Sequence, residues 1–238
     1  MSQPCVRGSA VSQSVWWGFA ICLCGLTLIQ PLESSAEFYV AGQLGPQLSN
    51  NFGNVGATGG PAGVSFSDVD LNNSLALGAK AGYFFPQVPN LGLEVSASHA
   101  KPNLNAQPSV VTGPVPGIFA FDRTSFRVVT VALNVIARAQ IKGFEPYAGV
   151  GMGLFFARLK DAAGATSSDN GVPGFNALAG YRSFLTDDRR LALVVEYNYQ
   201  RARLNFSNVF DPSVGLGTGL RGDYEAHTMM VGLSYHFN

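Results

Sequence analysis

The chain has 238 residues, 47% hydrophobic and only 13% charged, which excludes a disordered polymer and indicates one core-forming domain. Lysine plus arginine count 15 and aspartate plus glutamate count 15, so the net charge is zero, with no basic surplus to bind nucleic acid. The 28 glycines, 17 phenylalanines and 8 tyrosines suit closed β-structure better than an ordinary soluble enzyme.

The first predicted element is a secretory signal peptide over residues 1–36. Arg7 is its only early positive side chain, Val15 to Ile29 is an uncharged and mostly apolar run, and Ser34, Ser35 and Ala36 offer the small residues of a cleavage site. The run is too short for a membrane anchor and is followed by Pro31 and Glu33. Ile21 before Cys22 and Leu23 before Cys24 argue against lipidation. Cys5, Cys22 and Cys24 all fall within the signal, so the mature chain is expected to have no disulfide, thiol nucleophile or cysteine-based zinc site. Loss of Arg7 and Glu33 together leaves it neutral.

Beyond Ala36 no apolar run is long enough for a membrane helix, and alternation with period two takes over. The first strand is expected over Phe38 to Gly45. In the second, Leu75, Leu77, Ala79, Ala81, Tyr83 and Phe85 alternate with Ala76, Gly78, Lys80, Gly82 and Phe84. In the third, Leu91, Leu93, Val95 and Ala97 alternate with Gly92, Glu94, Ser96 and Ser98. The fourth places Val129, Val131, Leu133 and Val135 opposite Thr130, Ala132 and Asn134, and the fifth places Val150, Met152, Leu154 and Phe156 opposite Gly149, Gly151 and Gly153. A weaker sixth covers Phe175 to Leu185. The seventh sets Leu191, Leu193, Val195, Tyr197 and Tyr199 against Ala192, Val194, Glu196 and Asn198, and the last sets Met229, Val231, Leu233, Tyr235 and Phe237 against Thr228, Met230, Gly232, Ser234 and His236. Eight strands of about ten residues fit tilted membrane crossings.

Short turns are expected at Pro86 to Asn90, Gln140 to Gly143 and Thr186 to Arg189. Long loops, assigned no secondary structure, are expected at Pro46 to Asn73, Ala100 to Ser125, Lys160 to Gly174 and Ala202 to Gly222. This strict alternation predicts both termini on the periplasmic side and four outer loops.

Pro146, Tyr147, Gly149, Gly151 and Gly153 opening the fifth strand, the Ala81-Gly82-Tyr83 and Ala179-Gly180-Tyr181 strand ends, and the aromatic-alternating C-terminus carry a family resemblance. The chain resembles the small outer-membrane β-barrel proteins of the OmpA-like and OmpX-like type, which implies an all-β, eight-stranded antiparallel up-and-down transmembrane barrel over residues 37–238. It also implies residence in the outer membrane of a Gram-negative-type bacterium. In such families the last strand, here Met229, Val231, Leu233, Tyr235 and Phe237, serves as the assembly signal read by the outer-membrane insertion machinery. This chain ends Phe237-Asn238 instead of on the aromatic residue.

A closed cylinder in hydrocarbon gives every backbone polar group a partner. The apolar faces are then expected against lipid, with Phe38, Tyr83, Phe85, Tyr181, Tyr235 and Phe237 near the periplasmic boundary and Phe156, Tyr197 and Tyr199 near the outer one. The competing fold is a lipocalin-like soluble barrel with the same apolar face turned inward. Parity puts Lys80, Glu94, Asn134, Arg182, Glu196 and Asn198 in the lumen, with ion pairs expected between Lys80 and Glu94 and between Arg182 and Glu196. A polar plug is the simpler reading and a gated ion path the alternative.

No catalytic residue, metal site or cofactor is assigned. His99 beside Ser98, with Asp122 beyond, suggests a nucleophile set such as lipid A-modifying barrel enzymes carry near their rim. Adjacent strand residues point oppositely, however, and the deacylases' His-x-Ser-Asn arrangement is missing. His227 is expected to face outward near Asp223 and Glu225, and His236 to lie near the periplasmic rim. Asp68, Asp70 and Asn72 begin like a calcium loop, but Asn73 stands where glycine and Ala79 where glutamate is required. Arg189, Arg190, Arg201 and Arg203 read as boundary charges, the latter pair within reach of anionic lipid sugars. The expected function is non-enzymatic: envelope structure, adhesion or surface interaction through the loops, with a narrow channel or transporter for small or apolar solutes as the first alternative and a lipid A-modifying barrel enzyme as the second. Partners are outer-membrane lipid and lipopolysaccharide, the insertion machinery, and host or extracellular ligands.

Overall fold

The computed structural model describes residues 36–49, 52–60, 63–67, 69–104, 106–114, 116–121, 124–160, 166–207, 209 and 218–237. The signal-peptide expectation, apart from Ala36, lies outside the described residues, as do Asp68 and Asp122. The described strands are β1 (Glu37–Ser49), β2 (Gly53–Thr58), β3 (Ser65–Phe66), β4 (Ser74–Phe85), β5 (Val88–Ala100), β6 (Gln107–Thr112), β7 (Gly117–Phe121), β8 (Ser125–Arg138), β9 (Phe144–Lys160), β10 (Thr166–Phe184), β11 (Leu191–Phe206) and β12 (Gly219–Phe237).

Eight of them form an antiparallel ring in the order β1-β4-β5-β8-β9-β10-β11-β12. β1 pairs back onto β12 from Phe38 against Phe237 to Ser49 against Ala226, so the ring is closed. Closure leaves no strand edge in hydrocarbon. The three short turns lie at the end that carries Glu37 and Phe237, here the turn end; the four longer connections lie at the loop end. In the last turn Thr186 Oγ1 accepts from the Leu191 amide, while the Thr186 side chain and the Arg190 amide hold the exposed Asp188 carboxyl below the ordinary carboxylate range.

The two faces of the ring decide between lipid and water. A soluble carrier would bury Leu93, Val131 and Leu233, yet they are 40%, 41% and 51% exposed, while Glu94, Asn134 and Glu196 on the other face are at most 1% exposed. The barrel is therefore apolar outside and polar inside, the arrangement of a transmembrane barrel. Exposed rings border this band: Phe38, Tyr83, Phe85, Phe144, Tyr181, Tyr235 and Phe237 at the turn end, and Phe156 and Tyr197 at the other.

The strands do not stop at ten residues, and the expected loops are partly folded. β9 has 17 residues, β11 has 16, and β10 and β12 have 19 each, because the outward and inward chemistries exchange above the lipid band. Arg201, Arg203 and Asn205 face outward while Ala202, Leu204 and Phe206 are buried; Arg127 likewise faces out between buried Phe126 and Val128. This alternation is as regular as that below it, but it belongs to a strand with water outside and an apolar core inside. Most of the Lys160 to Gly174 interval is thus the start of β10, β2 and β3 fall in the first expected loop, and β6 and β7 fall in the second. β2 pairs with Gly219, Leu220, Arg221 and Asp223 of β12 beyond the point where β1 leaves it, and β3, β6 and β7 extend that sheet.

Candidate functional site

Any solute conducted by the ring would have to pass through its lumen, and side chains fill the lumen in successive levels. At the turn end, Arg182 Nη1 lies 2.8 Å from Glu145 Oε1, and Arg138 Nη1 bridges Glu145 Oε2 at 3.2 Å and Glu37 Oε2 at 2.6 Å. His236 Nδ1 meets Glu37 Oε1 at 2.5 Å, and its Nε2 lies 3.0 Å from the Ser234 hydroxyl. Rings enclose these charges: the Arg138 guanidinium sits 3.6 Å over Phe84, and that of Arg182 lies between Tyr39 at 4.1 Å and Tyr147 at 4.4 Å.

Above this floor, Lys80 Nζ lies 3.0 Å from Glu94 Oε1 and 2.5 Å from Glu196 Oε2, with side-chain exposures of 4% for the lysine and zero for both carboxylates. The two tyrosines tie the layers together, since Tyr39 Oη donates to Glu94 at 2.5 Å and Tyr147 Oη donates to Glu196 at 2.8 Å. Asn134 Nδ2 donates to Ser96 Oγ at 3.3 Å, and Asn176 Nδ2 donates to Asn134 Oδ1 at 2.7 Å. Higher still, Gln43, Ser98, Asn198, Gln200 and Thr228 line a cavity with room for about one water. The roof is apolar: Phe52, Val69, Leu104, Phe126, Phe155, Leu204, Phe206, Leu220 and Tyr224 form one buried cluster under the folded loops.

Gly82 and Gly222 make room for rings. A Cβ on Gly82 would lie 2.4 Å from the Tyr39 ring, and one on Gly222 would lie 2.2 Å from the Phe52 ring. Gly82→Ala is therefore expected to displace Tyr39 from Glu94 and to cost about 1–3 kcal/mol. Urea titration of the protein folded in lipid vesicles measures this; an unchanged midpoint would show that the ring has another place to go.

The residues singled out in the sequence separate into two groups. Lys80, Glu94, Asn134, Arg182, Glu196 and Asn198 are all buried and inward-facing. Lys80 and Glu94 pair across one diagonal step of the β4–β5 register, in which Lys80 faces Ser96 and Gly82 faces Glu94. The expected Arg182–Glu196 pair is not formed. Glu145 stands directly opposite Arg182 on β9 and takes it, whereas Glu196 reaches across the lumen to Lys80. Asn198 lines the cavity, and its Oδ1 accepts no hydrogen bond from the described residues. Met229, Val231, Leu233, Tyr235 and Phe237 are all exposed on the outer face of β12.

Ser98 faces the lumen, where Gln200 Nε2 donates to it, while His99 lies on the opposite face, so the two cannot act as nucleophile and base. His227 is outward and bonded through Nδ1 to Tyr197 Oη at 2.5 Å. His236, expected only to sit near a rim, is fully buried and part of the floor. Glu37, Tyr39, Arg138, Glu145 and Asn176 were not singled out, and Tyr147 was singled out only as a carrier of the family resemblance. Carrying strand parity through to the turns, with Tyr39 on the face of Gln43 and Arg138 on that of Asn134, would have found most of them.

The sequence profile of the outer membrane protein β-barrel domain matches residues 21–237. The chain belongs to this family. Among solved structures this outer membrane β-barrel protein is similar to OprG of Pseudomonas aeruginosa, with a TM-score of 0.57 and 14% identity over 87% of this chain and 98% of that one. It is also similar to Neisserial surface protein A, with a TM-score of 0.53 and 14% identity over 85% of this chain and 99% of that one. At such identities the likeness is one of fold. Comparison with curated proteins gives no match.

Proposed function

We propose that this outer membrane barrel is a non-enzymatic anchor that holds a folded loop-end platform at the cell surface for adhesion or another surface interaction. The observation that carries this reading is the filling of the lumen. A salt-bridged floor, the Lys80–Glu94–Glu196 cluster and an apolar roof succeed one another along the axis with space for about one water between them. Eight strands enclose little more than their own side chains.

The platform supplies the other half of the reading. Val55 of β2, Phe66 of β3 and Val111 of β6 share one apolar core with the raised strand ends, β7 extends that sheet, and the raised strand ends turn Arg127, Arg158, Arg201 and Arg203 outward, as a soluble recognition surface does. Residues 1–36 act in this reading as a signal peptide, both termini are periplasmic, and the outward Met229, Val231, Leu233, Tyr235 and Phe237 address the chain to the insertion machinery. Lipopolysaccharide surrounds the loop end, and the platform meets host or extracellular ligands.

Purified protein in planar bilayers is expected to show no stepwise current at any voltage that the membrane survives. Regular single-channel steps from the unmodified protein would replace this reading with the alternative of a narrow solute channel.

A further inference from the structure

The outer surface of the barrel carries arginines of two kinds just above the lipid band. On β11 they are neutralised by acids of β12: Arg201 lies 3.3 Å from Glu225 and 3.5 Å from Asp223, and Arg203 lies 3.3 Å from Asp223. On β8 and β9 the opposite holds. Arg127 and Arg158 are directly opposite each other in the strand register, both exposed, with exposed Lys160 opposite Ser125 one step higher. His99 on the neighbouring strand is within electrostatic reach of Arg127 and of exposed Lys101. Among the described residues, none of Lys101, Arg127, Arg158 and Lys160 has an acidic partner.

Like charges directly opposite in a sheet repel one another unless an anion lies between them. Two guanidinium forks facing each other suit a phosphate, which accepts paired hydrogen bonds from each. The position selects the kind of phosphate. Val129 and Phe156, two residues below Arg127 and Arg158 on the same outward face, directly face each other at the top of the apolar band. Two strand residues span about 6–7 Å before tilt, so the guanidiniums sit at headgroup depth when Val129 and Phe156 touch acyl chains.

We propose that Arg127 and Arg158, with Lys101 and Lys160 beside them, form a binding site for the phosphate of a membrane lipid on the outer surface of the barrel. The site depends on the transmembrane placement of the strands and not on closure of the lumen, so a conducting barrel would leave it intact. Its lipid is held by the headgroup phosphate and by acyl-chain contact with the strip below.

The test uses the protein in detergent, mixed in separate arms with bisphosphorylated lipid A, with dephosphorylated lipid A of the same acylation, and with inorganic phosphate, bound molecules being counted by native mass spectrometry. Retention of the phosphorylated lipid is expected to exceed that of the dephosphorylated form by on the order of tenfold and to fall by about as much in R127Q/R158Q. The R201Q/R203Q variant is expected to retain it like the unmodified protein. Heat-modifiable gel mobility verifies that both variants are folded. Equal retention of the two lipids, or equal loss in the two variants, would overturn the proposal. Inorganic phosphate held as well as the lipid would assign the residues to a free anion and overturn it too.

Discussion

Lys80→Met is expected to lower the stability of the barrel by roughly 3–5 kcal/mol, the usual range when one partner of a buried charge cluster is removed. Lys80 is the only cation within hydrogen-bond distance of both Glu94 and Glu196 among the described residues, and neither carboxylate side chain has any exposure. Without it, two carboxylates from opposite sides of the lumen face each other, held by the Tyr39 and Tyr147 hydroxyls. The K80M/E94Q/E196Q variant keeps the side-chain volumes and removes the charges, so it is expected to recover most of the loss. Urea midpoints in lipid vesicles, read by heat-modifiable mobility, separate the two explanations. A triple variant as unstable as the single one would show that Lys80 matters through packing and not through charge.

Glu145→Gln is expected to cost about 3 kcal/mol or more, because one carboxylate serves two buried guanidiniums. Arg138 keeps Glu37 in the variant, but Arg182, whose side chain is 1% exposed, loses its only carboxylate among the described residues. The rings of Tyr39 and Tyr147 remain and offset part of that loss. The double variant E145Q/R182M is accordingly expected to be more stable than the sum of the two single changes implies, with a coupling of about 1–3 kcal/mol from the same titration. Strict additivity would mean that Arg182 is held by its rings alone.

The membrane-spanning half of the fold was legible because lipid and lumen impose opposite demands on successive residues. Leu93, Val95, Val131 and Leu133 could be paired with Glu94, Ser96, Ala132 and Asn134 from the sequence alone. The Lys80–Glu94 contact followed from the shortness of the turn between their strands. Glu145 was missed because it precedes the glycine run that marked the fifth strand, and Glu37 because it abuts the expected signal peptide. Their roles also depend on contacts around and across the ring, which local pattern does not contain.

The loop end was illegible for a different reason. Arg201-Ala202-Arg203-Leu204-Asn205-Phe206 alternates as strictly as any membrane segment, but with its polar side outward, so a search for apolar outward faces ends at Tyr199. The apolar roof adds Phe52, Phe126 and Phe206 from three distant segments, whose rings meet at centroid distances of 6.0–6.5 Å. The two residues of β3 owe their strand conformation to β2 and β6 on either side. Nothing in the local sequence specifies such partners.

The most direct test of the fold's central feature, an apolar surface in contact with acyl chains around a polar axis, is collision accessibility of nitroxide labels in reconstituted bilayers. Labels at Leu93, Val131 and Leu233 are expected to be relaxed strongly by oxygen, which concentrates in hydrocarbon, and weakly by a water-soluble nickel complex. Labels at Arg203 and Asn205, outward but above the band, are expected to show the reverse. Protection of the first three sites from both relaxants, in a protein that stays soluble without detergent, would mean that those side chains form an internal core and that the barrel does not cross a membrane.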